Sequence, residues 1–440
     1  MKQIQVTTKP KGLDKMTAVA ITPEQREEFV VEAEARVAKL ETEVHTLRDA
    51  SKDAKADTRA LTLVTLPHNN LPLRDRIAIE VPQQPGLRIL LSEQAHRQIA
   101  ARVKIPWDYY DRMWQGQLDL LAENVNRWFK AEPEARLLRM RGPLTEQEHV
   151  IHATAQAPYR LRAFLGASFR TLDNADFLAA AIPAARERGA YLHSYDLNDQ
   201  RMHARFLTFA QDARDIVARV ATERGVTEAE AQQNPAIKWV NEVLSVGVAL
   251  RNSETGFAAL DVTGFMEILR CLNLLTATSE FNRRHVGRRR NGNDGFAFED
   301  AWSEQTRRLD NAAIFSQIGD TILAVLSEAK QAELAGKVLG AKTEPLALPV
   351  PTFEFVGNLG ANLNLTEAEV RVLQEETERA VIQEGVVTRF ALSQGITALA
   401  RRTDTADFDR KVELERYGFE MLDRDVEKLL AAGRTPATRN

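Results

Sequence analysis

Five arginines and one histidine crowd the ten residues Phe281-Asn282-Arg283-Arg284-His285-Val286-Gly287-Arg288-Arg289-Arg290, and no carboxylate occurs between Glu280 and Asp294. Guanidinium groups without local counter-charge suit a polyanionic partner. The competing reading is a basic helix end that faces solvent or complements the helix dipole. Arg201 and Arg205 sit four residues apart in a β-prone run, so their side chains leave the same face of a strand, and Arg251 stands at the tip of a second hairpin. Together with Arg283, Arg284, Arg288, Arg289 and Arg290 they define a candidate nucleic-acid groove, in which guanidiniums hold phosphates and aromatics such as Tyr195 or Phe257 lie near bases.

A second chemistry is acid–base. His285 titrates near neutrality, and a polar centre of Asn252, Ser253, Glu254, Arg284 and His285 would make His285, with Glu254, the catalytic candidates of an enzyme acting on nucleotides or nucleic acid. Metal chemistry has less support. His149 and His152 are three apart, and His193 and His203 fall on neighbouring strands, but neither pair has a third ligand nearby, so no metal and no cofactor are expected. Phosphate-loop, dinucleotide-fingerprint, zincin and nucleophile-elbow motifs are missing from the sequence. The lone Cys271, flanked by Arg270 and Leu272, reads as a small core residue.

The elements that must hold these residues follow from pattern. Thr22-Pro23-Glu24-Gln25 is a helix start, and Val30, Ala33, Val37, Leu40, Val44 and Leu47 then recur at spacings of three and four. That seam fits either self-association into a homo-oligomer or packing on the helix's own domain. Ser51 to Arg59 reads as a charged joint, and residues 61–90 as short strands between prolines. Trp107 to Trp128 is aromatic-rich helix, read as core. Two hairpins follow, 190–207 and 244–262, the second carrying Asn252, Ser253 and Gly256 in its turn. An apolar helix through Phe265, Ile268, Leu269, Leu272 and Leu275 is expected to lead into the arginine run. The fold class is α+β: an antiparallel hairpin sheet backed by helices, with a long N-terminal helix and a C-terminal helical unit. Expected boundaries are 1–60 for a tail and coiled-coil-like helix, 61–340 for the core, and 341–440 for helices ending in a disordered tail.

With 440 residues, 44% of them hydrophobic, and a net charge of −4, the chain can bury a large core and is no histone-like polycation, so nucleic-acid contact must be confined to a patch. No stretch reaches the ~20 apolar residues of a membrane span, and the polar start lacks a secretory signal. A cytoplasmic protein without membrane contact is expected.

Several motifs in fixed order carry a resemblance: Ile105-Pro106-Trp107-Asp108-Tyr109-Tyr110, Glu123-Asn124-Val125-Asn126-Arg127-Trp128, Arg162-Ala163-Phe164-Leu165 with Thr171-Leu172-Asp173-Asn174, Asn252-Ser253-Glu254-Thr255-Gly256, and Arg283-Arg284-His285-Val286-Gly287. In these the chain resembles the phage- and plasmid-associated family of unknown function numbered 932 (phage/plasmid-like proteins). The resemblance implies a mobile-element setting and brings no catalytic residues. Its segment Gly166 to Arg170 departs from the family pattern. A coarser topological likeness is to the single-strand annealing proteins of the phage Red-beta and RecT type. The reading that follows is a non-enzymatic, single-stranded DNA-binding protein that assists recombination or replication. The alternatives are the enzyme above and a structural or host-interaction protein.

Overall fold

A computed structural model describes residues 22–67, 70–81, 87–223, 225, 243–268, 273–283, 303–402 and 408–434. Arg284, His285, Gly287, Arg288, Arg289 and Arg290 lie outside the described residues, as do Cys271 and both terminal tails. The architecture is α+β, built on two sheets rather than one.

Helix α1 (Pro23–Ala50) starts as its sequence dictates. Thr22 Oγ1 accepts from the Gln25 amide at 3.3 Å, and Gln25 Oε1 accepts from the Thr22 amide at 3.0 Å, with Pro23 in the first turn. Its seam of Val37, Leu40 and Val44 is buried in the main core against Phe177, Ala181 and Leu192. The stripe that fitted self-association is therefore spent inside the protomer.

The first sheet contains β1 (Ser51–Asp57), β2 (Thr62–Thr65), β3 (Ile77–Glu80), β4 (Arg88–Leu91), β5 (Ala135–Arg141) and β6 (Tyr159–Gly166), in the order β1-β5-β6-β4-β3-β2. It is mixed, because β4 and β6 run parallel. The expected joint at 51–59 is instead edge strand β1, paired along its whole length with β5. Strand pairing across the sheet overrode a locally polar, weakly β-prone sequence. Helices α2 (Glu93–Arg102), α3 (Trp107–Gly116) and α4 (Leu118–Ala131) cover one face, where Tyr110, Trp114, Val125, Phe129 and Phe164 make the core that the aromatic run predicts. At the β2 edge the Asn126 carboxamide takes the place of a strand: its Oδ1 accepts from Leu63 N at 2.7 Å and its Nδ2 donates to Leu63 O at 2.8 Å. Helix α5 (Glu146–Ala155) packs by β4 on the other face.

The second sheet is fully antiparallel, with β7 (Tyr191–Leu197), β8 (Met202–Leu207), β9 (Val243–Asn252), β10 (Leu260–Ile268) and β11 (Asn273–Arg283) in the order β11-β10-β9-β8-β7. One face packs on α1, α6 (Asn174–Glu187) and α8 (Glu304–Val325). Against the other lie α7 (Ala210–Glu223) and, from the C-terminal part, α12 (Arg389–Arg402) and α13 (Phe408–Asp423). Helices α9 (Glu328–Thr343), α10 (Thr352–Asn362), α11 (Glu367–Glu384) and α14 (Val426–Arg434) complete the C-terminal helices, with a separate core around Phe355, Ile396 and Leu414.

The helix expected through Phe265 to Leu275 is the hairpin β10–β11. Its apolar positions fit a helical period, but so short a run is ambiguous, and tertiary pairing decided it. Phe265 stands opposite Gly247 in the β9–β10 ladder, and a Cβ on Gly247 would come within 2.2 Å of the Phe206 carbonyl and 2.7 Å of the Phe265 ring. The glycine makes room for that ring only when Phe265 is on a strand. No single helix among the described residues is long and apolar enough to cross a membrane.

Candidate nucleic-acid interface

Register sets the positions of the predicted arginines. Directly opposed residues in an antiparallel pair share a face, and Asp196, His203, Arg251, Asp261 and Asn282 form one row across all five strands of the second sheet. Arg205 lies two residues beyond His203 on β8, and Arg201 immediately precedes the strand. Arg201, His203, Arg205 and Arg251 therefore occupy the face opposite the main core, which is lined instead by Met202, Ala204 and Leu250. Arg283 ends β11 opposite Leu260, one position beyond the row. Strand β11 thus ends, at Arg283, at the end of the sheet where Arg201 and Arg251 lie.

Carboxylates divide this face. Arg205 Nη2 donates to both oxygens of the buried Glu415 on α13, at 3.3 and 3.2 Å. That ion pair withdraws Arg205 from the expected groove. Asp196 and Asp261 flank the row, and Thr263 Oγ1 donates to Asp261 Oδ2 at 2.6 Å. Burial first, and then Arg205, Arg251, Lys411 and Arg201, hold the His203 imidazole well below its ordinary range, so it is neutral. Burial raises the Asp196 carboxyl, against the pull of Arg201. His203 opposes Asp196, and His193 lies further along the ladder beside the Leu192–Phe206 pair, so register alone keeps the two histidines of this hairpin from facing each other.

Of the two aromatics expected near bases, Tyr195 is turned the other way. It is buried in the main core, because residue 195 opposes Ala204 and alternates inward with Leu197. Phe257 is exposed, and the Arg201 guanidinium carbon lies 5.8 Å from its ring centroid.

The polar centre around Asn252 is a buried joint between the sheets. Asn252 Nδ2 donates to Leu172 O and Asn174 Oδ1, both at 2.8 Å. Glu254 Oε1 accepts from the Asn174 amide at 2.8 Å, and Oε2 from Arg162 at 3.1 Å. Both carboxylate oxygens of Glu254 are thus engaged inside the joint. Ser253 and Thr255 hydroxyls both donate to the Gln200 carbonyl. Gly256 follows with φ +73°, and a Cβ there would stand 2.8 Å from Leu165.

Arg162 on β6 is joined there by Arg139 and Arg141 on β5, while Arg160 on β6 is buried within the first sheet. A bulge in the β5–β6 ladder leaves Arg162 without an opposed residue and aims it at Glu254. Arg139 bonds Asp53, Asp173 and the Glu254 carbonyl. Arg141 forks onto both Glu148 and Asp199. Arg160 meets Asp75 at 2.8 Å. Burial would lower the Arg141 pKa, but hydrogen bonds and charge from Glu148 and Asp199 outweigh it and raise the pKa. Glu148 in turn, despite its burial, is held down at about 2 by Arg141. Charge clustering does not single these arginines out. Their signal is arginine at alternate positions of two otherwise apolar strands, a pattern that demands buried counter-ions.

Among the described residues no group of three or more His, Cys, Asp or Glu is placed to hold a metal ion. No protein-family model, curated protein or solved structure matches the chain.

Proposed function

We propose that this chain binds nucleic acid without altering it covalently, takes single-stranded DNA as its ligand, and serves recombination or replication of a phage, prophage or plasmid. The observation that carries the reading is register. Arg201 and Arg251 share one face of the second sheet, and β11 ends with Arg283 at the same end of that sheet. At ~4.8 Å per strand, β8 and β11 are about 14 Å apart, a span that accepts several phosphates of one strand. Arg205 is not part of this surface, since Glu415 neutralises it. The mobile-element setting rests only on the resemblance of the ordered motifs to the phage- and plasmid-associated family.

Affinity in such a site comes mainly from counterion release. Fluorescence anisotropy with a labelled single-stranded oligonucleotide across a salt series tests the proposal. Replacing Arg283, Arg284, Arg288, Arg289 and Arg290 with alanine should weaken binding to all sequences alike. The log–log salt slope should flatten by ~0.7 for each phosphate that is no longer neutralised. An unchanged slope in that variant removes the run from the site, and a wild-type protein that ignores oligonucleotides at low ionic strength ends the proposal.

A further inference from the structure

Building on the proposed DNA-binding reading, we infer that the turn after Asn252 is a pedestal whose task is to present the Phe257 ring to an unstacked nucleobase. Phe257 is a large apolar side chain left exposed beside the Arg201 guanidinium, at the end of the sheet where β11 finishes at Arg283. Its backbone is fixed. The Phe257 amide donates to Ser253 Oγ at 2.9 Å, and Ser253 Oγ donates to the Gln200 carbonyl. Gly256, in the left-handed region, turns the chain outward between the buried Thr255 and the exposed ring.

The neighbouring loop is held as firmly. Asn198 accepts from the amide of Arg201 and donates to its carbonyl, both at 3.0 Å, while Asp199 is gripped by Arg141. The backbones that carry ring and guanidinium are therefore fixed before any ligand arrives, which lowers the entropic cost of binding. A flat ring beside a cation stacks a base and attracts the adjoining phosphate, and only a strand with splayed bases offers both. The buried Asn252-Ser253-Glu254-Thr255 turn thereby acquires a role, as the foundation of a contact that favours single strands over duplex.

Three probes test this: a labelled single-stranded oligodeoxynucleotide, an abasic deoxyribose-phosphate chain of equal length, and the matching duplex. The Phe257→Ala protein should bind the base-bearing strand about five- to a hundred-fold more weakly and the abasic chain and duplex as wild type does. Phe257→Trp should restore the affinity, and its added indole emission should be quenched by the base-bearing strand alone. Equal weakening on the base-bearing and abasic chains, or no weakening on either, overturns the stacking interaction. Salt-dependent wild-type binding to the abasic chain would keep the electrostatic reading alive even then, whereas failure of wild type to bind any probe retires both.

Discussion

Two sets of arginines meet opposite fates in this molecule. At the joint between the sheets, Arg139, Arg141 and Arg162 are buried and meet Asp53, Glu148, Asp173, Asp199 and Glu254. Acid outnumbers base there. On the outer face of the second sheet, Arg205 is likewise tied to Glu415, while Arg201 and Arg251 are half-buried near Asp196, His203 and Asp261. The side chain is the same, and on the proposed reading its local balance of charge separates a rivet from a binding group. The comparison also shows why linear clustering is an uneven guide. The partners of the joint arginines lie up to 115 residues away in sequence, so no local window reveals that they are neutralised.

The strongest way to break this contrast is to remove one partner at the joint. Arg162→Met should destabilise the fold by ~3–5 kcal/mol in urea unfolding, because Glu254 would be left buried without its ion pair. A loss under ~1 kcal/mol would mean that the joint is as tolerant as a surface. Acid comes next. Burial chiefly, helped by Arg160 and Arg74, lowers His96 to about 3 from an ordinary value of 6.5. Between those two values the unfolded chain binds a proton that the folded one refuses, so stability is unaffected above pH 6.5 and falls as pH drops below it. The fall is about 1.4 kcal/mol per pH unit from this residue. Thermal midpoints measured from pH 7 to 4 should show it, and His96→Gln should flatten the curve.

Smaller effects sharpen the other side. Gly256→Ala should cost about 1–2 kcal/mol, from the left-handed backbone and the close Leu165 methyl, and should lower DNA affinity by displacing Phe257. Differential scanning calorimetry paired with oligonucleotide titration separates the two effects. Arg251→Ala should change stability least, within ~1 kcal/mol, while weakening oligonucleotide binding in low salt. Were it as damaging to the fold as Arg162→Met, Arg251 would belong with the rivets.

Much of the fold was legible because its signals are local. The capping box at Thr22 and the first hairpin from Tyr191 to Leu207 each fold as their own residues demand. Two elements were not legible, for different reasons. Strand β1 exists through a ladder to β5, far along the chain, whereas the β10–β11 hairpin pairs near neighbours but its short apolar run also fits a helical period. For the candidate site, strand alternation put Arg201 and Arg205 on one face, while Arg251, expected at a hairpin tip, joins them through the register of β9 with β8. It had no means of foreseeing Glu415, which reaches Arg205 from 210 residues downstream. Tyr195 was misread as a surface aromatic because alternation fixes which residues share a side and leaves open which side is covered.

The carboxamide of Asn126, lying along Leu63, has a consequence for colloidal behaviour. Strand β2 is the last of its sheet, and an open last strand invites other chains to dock and extend it, the route to fibrous aggregates. A single side chain that satisfies both main-chain groups of Leu63 caps the ladder at that residue. Asn126→Leu should therefore show itself less in melting than in turbidity, with concentrated protein clouding on storage while the wild type stays clear.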